Sequence, residues 1–445
     1  MLRRATARSA DVRAGTFFLA LPLLVLCGCG ATASRRTAEP IPAPAAVGGA
    51  AAARLAADPS LQRLLDPYPS ESGPSWLGGD VASSIRLADD RWVWIFGDTL
   101  LGTVSDRCAV PLSYCQRSVT GPDAGMIANS AGTMIRSADG FLSPVVKYWR
   151  TDQAGAPAPI FSAPGEGFLW PLAGVRAGTI LLVVANRHTP ESGLLPVGNL
   201  LVRVSNPDAP PDAWLYDVQP ITGFRAGGDG RALLSWTSAL VSIGDFVYVF
   251  GSQGVGLEAR TVLARLDTRE VADPAWQPAL QYLQRGATGA PPVWSSALDP
   301  DRLHEIEGLP GTSEGTIDFA DGVGWYTFQI PALLYEIRLY TASNLLGPWQ
   351  DHGTVYEIPA VWRATRGRCP EPKGAGEEPA WGEADPACAP VYAAYAPKAH
   401  PEFAAPGGYV VSYNVNTWGG GLDAAVQALQ TRHGFYVPQL VWGAP

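Results

Sequence analysis

A hydrophobic strand pattern that follows a turn and ends in polar residues recurs five times along the chain. The repeats are spaced by roughly 65 to 90 residues, which suits units of four strands with long loops. No helical pattern lies between them. They occupy residues 91–99, 179–187, 245–253, 324–329 and 408–416. The pattern predicts an all-β chain folded as a five-bladed β-propeller.

The first repeat places two carboxylates together. A short strand pattern follows Asp80, a turn lies at residues 88–90, and a second, aromatic strand ends in Gly97, Asp98 and Thr99. In an antiparallel hairpin the start of one strand lies beside the end of the next. We therefore expect Asp80 and Asp98 to emerge at the same edge of the sheet.

The residues that begin the first strand of each repeat form a candidate site. The first strand of a propeller blade lies innermost, so these residues would surround one axial pocket. They are Asp80, Trp170, Trp236 or Thr237, Glu314 and His400. Glycoside hydrolysis needs two carboxyl groups, one that protonates the leaving oxygen and one that acts as base or nucleophile. Their separation would indicate the stereochemistry, about 5 Å for retention and about 6.5 to 9.5 Å for inversion.

The candidate acids also have structural interpretations. Asp80 follows two glycines and could be a turn residue, whereas Glu314 could be a solvated loop acid. Asp98 could be an acceptor that only fixes its own strand. If Asp98 repels Asp80, one of the two pKa values rises, and Asp98 could then compete with Glu314 as proton donor.

The other predicted site residues would contact the glycan. They are Trp170, Trp236, His400, Tyr413, Asn414, Asn416 and Asn129. The aromatic rings would stack on sugar faces, and the amides would bind sugar hydroxyls. Alternatively, the two tryptophans pack in a core, the histidine is a buried structural residue, and residues 413–416 simply end a strand.

Composition narrows the classes of function. Hydrophobic residues make up 47% of the chain and charged residues 16%, with 49 Gly and 40 Pro, which suits many short strands rather than disorder. The formal net charge of −9 becomes −12 without the basic leader described below. Because phosphate contacts need clustered lysine and arginine, we exclude nucleic acid and expect a neutral glycan polymer as partner. No nucleotide-binding glycine pattern, G-x-S-x-G motif or metal-ligand spacing occurs, so we expect neither cofactor nor metal.

The N-terminus predicts export. An arginine-rich start precedes an apolar run at residues 16–26, which is too short to span a bilayer, and Cys29 follows in a context that resembles a bacterial lipoprotein signal. The predicted organisation is a signal peptide at 1–28, a disordered, flexible tether at 29–60 and the propeller at 61–445. We expect a monomer held at the membrane only by a lipid on Cys29. An ordinary secretory signal or an uncleaved anchor is the alternative.

Four further cysteines predict two disulfides in an exported protein. We favour local pairing, Cys108 with Cys115 and Cys369 with Cys388, because each pair brackets one loop rich in proline or glycine. Four cysteines allow three pairings. A zinc site is the alternative, although no CxxC motif or histidine cluster supports it.

Several motifs together resemble a known family of enzymes. They are Gly79-Asp80, the strand end at residues 95–99, Gly347-Pro348-Trp349 and the strand end at residues 412–416. Over residues 70–445 they are similar to the five-bladed propeller glycosidases of the arabinanase–invertase type. The most similar group is a bacterial one catalogued as a domain of unknown function, whose members include endo-D-arabinanases that cut the arabinan of mycobacterial cell walls.

The resemblance implies roles for individual residues. Asp80 matches the base that opens the first blade, and Glu314 matches the proton donor that opens a later blade. The usual third acid has no match, since the second blade opens with Trp170 and Pro171, which leaves room for Asp98 to take part. The implied function is an exported endo-acting hydrolase of D-arabinan. A non-catalytic carbohydrate-binding propeller and a structural propeller for protein contacts are the competing interpretations.

Overall fold

The computed structural model describes residues 54–443 with gaps. The gaps are residues 68, 71–72, 105–116, 122, 193–194, 228–231, 274–275, 313, 332–334, 363–390, 405–407, 419–425, 427 and 431–434. The predicted signal peptide, Cys29 and the four cysteines assigned to disulfides (Cys108, Cys115, Cys369 and Cys388) lie outside the described residues.

The described elements are almost all strands. The first are β1 (Ala56–Ala57), α1 (Pro59–Gln62), β2 (Ser75–Gly79), β3 (Ser83–Ala88), β4 (Arg91–Phe96), β5 (Thr99–Val104), β6 (Arg117–Ser118), β7 (Gly125–Ile127), β8 (Ser130–Ile135), β9 (Val146–Tyr148), β10 (Arg150–Thr151) and β11 (Pro157–Ala158). The middle ones are β12 (Phe168–Ala177), β13 (Ile180–His188), β14 (Gly198–Val204), β15 (Tyr216–Pro220), β16 (Arg225–Ala226), β17 (Ala232–Ile243), β18 (Phe246–Gln253), β19 (Arg260–Asp267), α2 (Thr268–Ala272), β20 (Gln281–Gln284) and β21 (Val293–Ser295). The last are β22 (Ile317–Ala320), β23 (Gly324–Gln329), β24 (Glu336–Ala342), β25 (Gln350–Glu357), β26 (Val391–Ala399), β27 (Tyr409–Trp418) and β28 (Gln439–Gly443).

Single 3₁₀ turns interrupt the strands. They lie at Pro211–Ala213, Gly256–Glu258, Pro300–Arg302, Ala360–Trp362 and Pro401–Phe403. In the part of the chain described above, no helix has the length and apolar character needed to cross a membrane. The predicted all-β fold class is confirmed.

The strands form antiparallel sheets that follow one another along the chain. Sheet 1 is β3-β4-β8-β9, sheet 2 is β12-β13-β14-β15, sheet 3 runs from β16 to β21, sheet 4 is β22-β23-β24-β25, and sheet 5 is β26-β27-β28-β1. The strands of a smaller sheet alternate along the chain with those of sheet 1: its order is β2-β5-β6, and β7 also pairs with β5. In addition, β10 pairs with β11. The five predicted repeats correspond to the second strands of sheets 1, 2, 4 and 5 and to the third strand, β18, of sheet 3.

Alternation along each second strand explains why the sheets pack face to face. On β13, Leu181 and Val183 join a core with the hydrophobic residues of β4, whereas Leu182 and Val184 join a second core with those of β18. Successive side chains of a strand point to opposite faces, so one strand supplies both cores. This is why residues 179–187 are hydrophobic throughout rather than alternately polar.

Strands β3, β12, β17, β22 and β26, one from each of sheets 1 to 5, converge on one central cavity of about 260 Å³. This arrangement of sheets around a common axis is propeller-like. The lining comes from residues 83–86, 173–176, 240–242, 315–318, 399, 401 and 402. The central cavity therefore defines the axis on which the candidate site must be located.

An N-terminal strand completes sheet 5. Ala56 pairs with Trp442 and Ala57 with Val441, and Leu55 is buried in the core of this sheet. The prediction that the tether extends to residue 60 is therefore corrected, since residues 54–60 already belong to the fold. The reason is the open edge of β28, whose backbone groups gain partners when β1 adds to it.

Candidate active site

The backbone around Asp80 is tied to the segment that carries Asp98. The Asp80 N–H donates to the Asp98 carbonyl at 3.3 Å, and the Asp80 carbonyl accepts from the Gly97 N–H at 3.1 Å. A Cβ at Gly97 would overlap the Oδ1 atom of Asp80, so glycine is needed there for the close approach. The Tyr395 hydroxyl donates to Asp80 Oδ2 at 3.0 Å. These contacts fix both the backbone and the carboxyl plane of Asp80.

Asp98 is held by a tryptophan from the next sheet. The indole Nε1–H of Trp170 donates to Asp98 Oδ1 at 2.5 Å. The Trp170 ring is itself fixed against His188, with ring centroids 4.0 Å apart, and against Phe168, at 5.5 Å. A hydrogen bond to an ionised acceptor is shorter and stronger than a neutral one, so Trp170 favours the ionised form of Asp98.

Glu314 lies beside a completely buried lysine. Lys398 Nζ donates to the Leu172 carbonyl at 2.6 Å and to the Gly315 carbonyl at 3.0 Å, and Lys398 has no exposed surface. Gly315 directly follows Glu314, and its own N–H donates to the Ser238 carbonyl at 2.9 Å. The Glu314 Oε2 atom is enclosed and accepts no hydrogen bond from the described residues.

Burial raises the pKa of all three carboxyl groups. The pKa of Asp80 lies well above its usual range, because the carboxylates of Asp98 and Glu314 add to the effect of burial. Burial raises the pKa of Asp98 to about 7, against the opposing hydrogen bond from Trp170. The pKa of Glu314 is also raised by burial, but the charge of Lys398 opposes the shift.

The surroundings of Asp80 and Glu314 therefore favour different protonation states. Two acidic neighbours oppose the ionisation of Asp80, whereas a cationic neighbour favours the carboxylate of Glu314. Burial lowers the pKa of Lys398 to about 8, while Glu314 and Asp80 raise it. Among the described residues, no group of three His, Cys, Asp or Glu side chains could hold a metal ion.

Strained backbone surrounds the same cluster. Outside glycine, five residues in the described ranges have positive φ, and four of them lie at this site. They are Val81 (66°), Ala82 (47°), Ala396 (51°) and Tyr436 (60°). Left-handed backbone is costly for side chains with a Cβ, above all for β-branched valine. Such strain concentrates at functional sites, which supports a functional reading of the cluster.

Lys398 separates the acid cluster from the central cavity. On β12, Trp170 lies at the acids and residues 173–176 line the cavity, with the Leu172 carbonyl that binds Lys398 between them. The chain around β22 has the same order, from Glu314 through the Gly315 carbonyl to Asp318 in the cavity. The acids thus occupy one side of the lysine, and the cavity lies on the other.

Several residues predicted to contact glycan are completely buried. Trp236 has no exposed surface and packs against Tyr282 in the core of sheets 2 and 3. Asn129 donates to the carbonyls of Phe161 and Leu169, both at 2.9 Å, and is also fully buried. We therefore assign Trp236 and Asn129 to structural roles, because neither presents a surface that a sugar could reach.

His400 is another of these buried residues. Its Nδ1 lies 2.7 Å from Ser84 Oγ and its Nε2 lies 2.8 Å from Ser412 Oγ, while the ring stacks on Trp94 with centroids 4.8 Å apart. Burial, helped by the charge of Lys398, lowers the pKa of His400 to about 3. This neutral, doubly hydrogen-bonded histidine fits the structural interpretation rather than glycan binding.

The strand end at residues 413–416 lies mostly inside the protein. Tyr413 and Asn414 are buried, and Asn414 Nδ2 donates to the Gly79 carbonyl at 3.1 Å. Asn416 is half-buried, and its Oδ1 accepts from the Thr417 N–H at 2.7 Å. Asn414 therefore supports the strand that leads to Asp80, and of these three residues only Asn416 has appreciable exposed surface.

A family model matches most of the chain. The family model described as Domain of unknown function (DUF5005) matches residues 66–432. The chain belongs to this family. All residues of the acid cluster lie within the match, together with Trp170 and Lys398. The family description gives no activity. A search among curated proteins found no match.

One solved structure shares the fold of this chain. The crystal structure of a hydrolase candidate from Bacteroides ovatus ATCC 8483 covers 88% of this chain and 93% of that chain, with 14% identity and a TM-score of 0.58. The catalytic domain of a GH62 α-L-arabinofuranosidase from Coprinopsis cinerea covers 88% of this chain and 96% of that chain, with 10% identity and a TM-score of 0.42. The second score is below the level that indicates a shared fold, so only the first supports one.

Sequence reasoning missed Tyr395 and Lys398. The fifth repeat was expected to present His400, but β26 has a register shift between Tyr395 and Lys398. A β-bulge changes which side chains share a face, and here both residues reach the acid cluster. A lysine and a tyrosine in an otherwise apolar first strand are the signal that could have pointed to them.

Trp170→Phe is expected to raise the pKa of Asp98 further above its usual range. The variant keeps the ring but removes the N–H that stabilises the Asp98 carboxylate. Titration of the Asp98 carboxyl carbon by ¹³C NMR measures the shift. Trp276→Phe is a matched control, because Trp276 Nε1 donates to Asp217 Oδ1 at the same 2.5 Å away from the site. An unchanged Asp98 titration in Trp170→Phe would contradict the expectation.

Proposed function

We propose that this protein is a glycoside hydrolase that cleaves a furanose polymer, with D-arabinan as substrate and internal linkages as the points of attack. One observation carries the proposal. Asp80, Asp98 and Glu314 are buried close enough to influence one another, and their surroundings favour the protonated form of Asp80 and the ionised form of Glu314. Hydrolysis of a glycosidic bond needs this pair of protonation states at one site.

The electrostatics support particular roles. Asp80 is the general acid, since Asp98 and Glu314 both oppose its ionisation. Glu314 is the base or nucleophile, since Lys398 favours its carboxylate. Asp98 maintains the high proton affinity of Asp80. This assignment exchanges the roles that the family resemblance implies for Asp80 and Glu314, and the exchange follows from which acid has the cationic neighbour.

In the proposed reaction, the glycan lies over the acid cluster with its scissile oxygen at Asp80. Asp80 protonates the leaving oxygen as the bond to the anomeric carbon breaks. Glu314 either activates a water on the opposite face of the sugar or attacks the anomeric carbon itself. The half-buried Trp170 offers an aromatic wall for the sugar, and Tyr395 keeps the Asp80 carboxyl group oriented.

The choice of furanose polymer rests on the motif resemblance. The strand ends at residues 95–99 and 412–416 are the markers shared with the arabinanase–invertase type, and that type also supports a five-bladed count for the propeller. The acidic net charge of the chain favours a neutral polymer over a polyanionic one. The sequence shows no stripe of Lys and Arg residues, which agrees with this choice.

We also propose that the protein is exported and lipidated at Cys29. The support is the apolar run at residues 16–26 followed by a cysteine after small residues. Replacing Cys29 with serine and fractionating the cells tests the proposal. Loss of the protein from the membrane fraction is expected, and retention there with unchanged gel mobility would refute lipidation.

Incubation with purified polymers tests the proposed activity. The protein is mixed with D-arabinan, arabinogalactan and a pyranose polymer such as cellulose, and the released oligosaccharides are separated chromatographically. A ladder of arabinose oligomers is expected, and it should disappear in the double variant Asp80→Asn/Glu314→Gln. Tight binding of arabinan without release would instead favour the non-catalytic carbohydrate-binding interpretation.

A further inference from the structure

Lys398 is placed where it can act on Glu314 in two ways. Its side chain starts on β26 and its ammonium group reaches the carbonyls of Leu172, in β12, and Gly315. It therefore ties together parts of three sheets at the axis. The Gly315 carbonyl belongs to the peptide that joins Gly315 to Thr316, so the bond holds the backbone one residue beyond Glu314.

The location of the ammonium group is unusual for a structural lysine. A buried charge is costly unless it is paired and hydrogen-bonded, yet the Lys398 ammonium group donates to two neutral carbonyls. The charges that favour its cationic form are those of Glu314 and, less strongly, Asp80. The nearby acids, rather than the packing of the core, therefore offset the cost of burying this cation.

We propose that Lys398 is a positioning residue for Glu314: it fixes the neighbouring backbone and supplies the positive charge that keeps Glu314 a carboxylate. The assignment rests on the proposed function, in which Glu314 is the base or nucleophile. It adds to that function a residue that decides which of the two acids carries the proton. Lys398 is the cation whose charge acts on Glu314 among the described residues, so its removal would leave the repulsion from the other two carboxyl groups without this opposing charge.

The other ionisable groups around the site do not supply this charge. Asp98 and Asp80 are acids, and the hydroxyl of Tyr395 is already donated to Asp80. Tyr436 is buried beside the same acids. Burial is the main reason that its pKa is raised, and the negative charges of those acids raise it further. His400, on the far side of Lys398, is neutral because burial lowers its pKa to about 3.

Two substitutions separate the charge of Lys398 from its hydrogen bonds. Lys398→Met removes both, whereas Lys398→Gln keeps an N–H donor for the carbonyls but no charge. In each variant the pKa of Glu314 should rise, because the carboxylate loses its cationic neighbour. The Glu314 carboxyl signal in ¹³C NMR, assigned by comparison with Glu314→Gln, reads this shift without any need for turnover.

Kinetics on arabinan provide the second readout. Lys398→Met should lower kcat/KM by about 10²-fold, the loss expected when a reacting group is misplaced. The acidic limb of the pH profile should move to higher pH in both variants, since Glu314 must be ionised to act. Movement of the basic limb instead would mean that Glu314 is the proton donor, and this would overturn the assigned role.

Lys147→Met is the matched control. Lys147 is another enclosed lysine whose Nζ donates to a backbone carbonyl, that of Asp66 at 3.1 Å, but it lies away from the acid cluster. This variant should leave the titration of Glu314 unchanged. If Lys147→Met shifts the Glu314 pKa as much as Lys398→Met does, the effect is not specific and the proposal fails.

A reciprocal measurement covers the case in which the lysine variants do not fold. Coupling between two sites acts equally in both directions, so Glu314→Gln should lower the pKa of Lys398 below its value of about 8 in the unmodified protein. The Lys398 side chain is followed by NMR with labelled lysine. An unchanged Lys398 titration would overturn the proposal, whereas lack of turnover on every glycan would overturn only the proposed function.

Discussion

Replacing Asp80 with asparagine is expected to lower kcat/KM on arabinan by about 10²- to 10⁴-fold, the usual contribution of general acid catalysis. The amide keeps the shape of the side chain and its contact with Tyr395 but has no proton to give. Binding of the polymer should survive, and the fold should be at least as stable, because one of three repelling carboxyl groups is gone. Initial rates and the thermal midpoint measure these two effects.

Comparison of two substrates tests whether Asp80 is the general acid. An aryl furanoside with a nitrophenolate leaving group needs little protonation, so Asp80→Asn should retain most of its activity on that substrate. Asp318→Asn is the matched control, since Asp318 is an acid in the central cavity whose pKa burial raises to about 6. Equal losses on the aryl furanoside and on arabinan would assign Asp80 to the base instead.

Replacing Glu314 should remove activity on both kinds of substrate. Glu314→Gln cannot act as base or nucleophile, whatever the leaving group, and a loss of at least about 10²- to 10⁴-fold is expected. In Glu314→Ala a small anion such as azide can enter the vacated space and attack the sugar. We therefore expect azide to restore turnover of the aryl furanoside and to yield a glycosyl azide, which chromatography and mass spectrometry identify.

Glu402→Gln serves as the control for this second prediction. Glu402 lies in the central cavity, and burial raises its pKa to about 7, so it resembles Glu314 in type and environment but not in location. Its variant should keep the activity of the unmodified protein. Full activity of Glu314→Gln on arabinan would remove Glu314 from the mechanism, and loss of activity in Glu402→Gln would show that the effect is not local.

The sequence was informative where the structure depends on local pairing. The hydrophobic strands were found from their alternation, and β3 and β4 form the hairpin expected between Asp80 and Asp98. These two acids are close because antiparallel pairing brings the ends of a hairpin together. Such proximity needs only about twenty residues of sequence, so no knowledge of the rest of the fold is required.

Contacts between distant sheets could not be read in the same way. Trp236 was assigned to the site, but the register of β17 shifts between Ser235 and Ala239, and the indole packs in the core. Lys398 binds the carbonyl of Leu172, which is 226 residues away in the chain. Every residue has a backbone carbonyl, so the residue type at position 172 does not indicate that its carbonyl binds a lysine. Only the folded structure identifies this contact.

The position of Lys398 also determines how molecules reach the acids. Because Lys398 lies between the acids and the central cavity, we expect glycan and the attacking water to approach the acids from the side away from the cavity. Water is then either trapped beneath the sugar when the polymer binds or admitted after the leaving portion has departed. The first order of events accompanies inversion and the second accompanies retention, so the anomeric form of the first product shows which order applies.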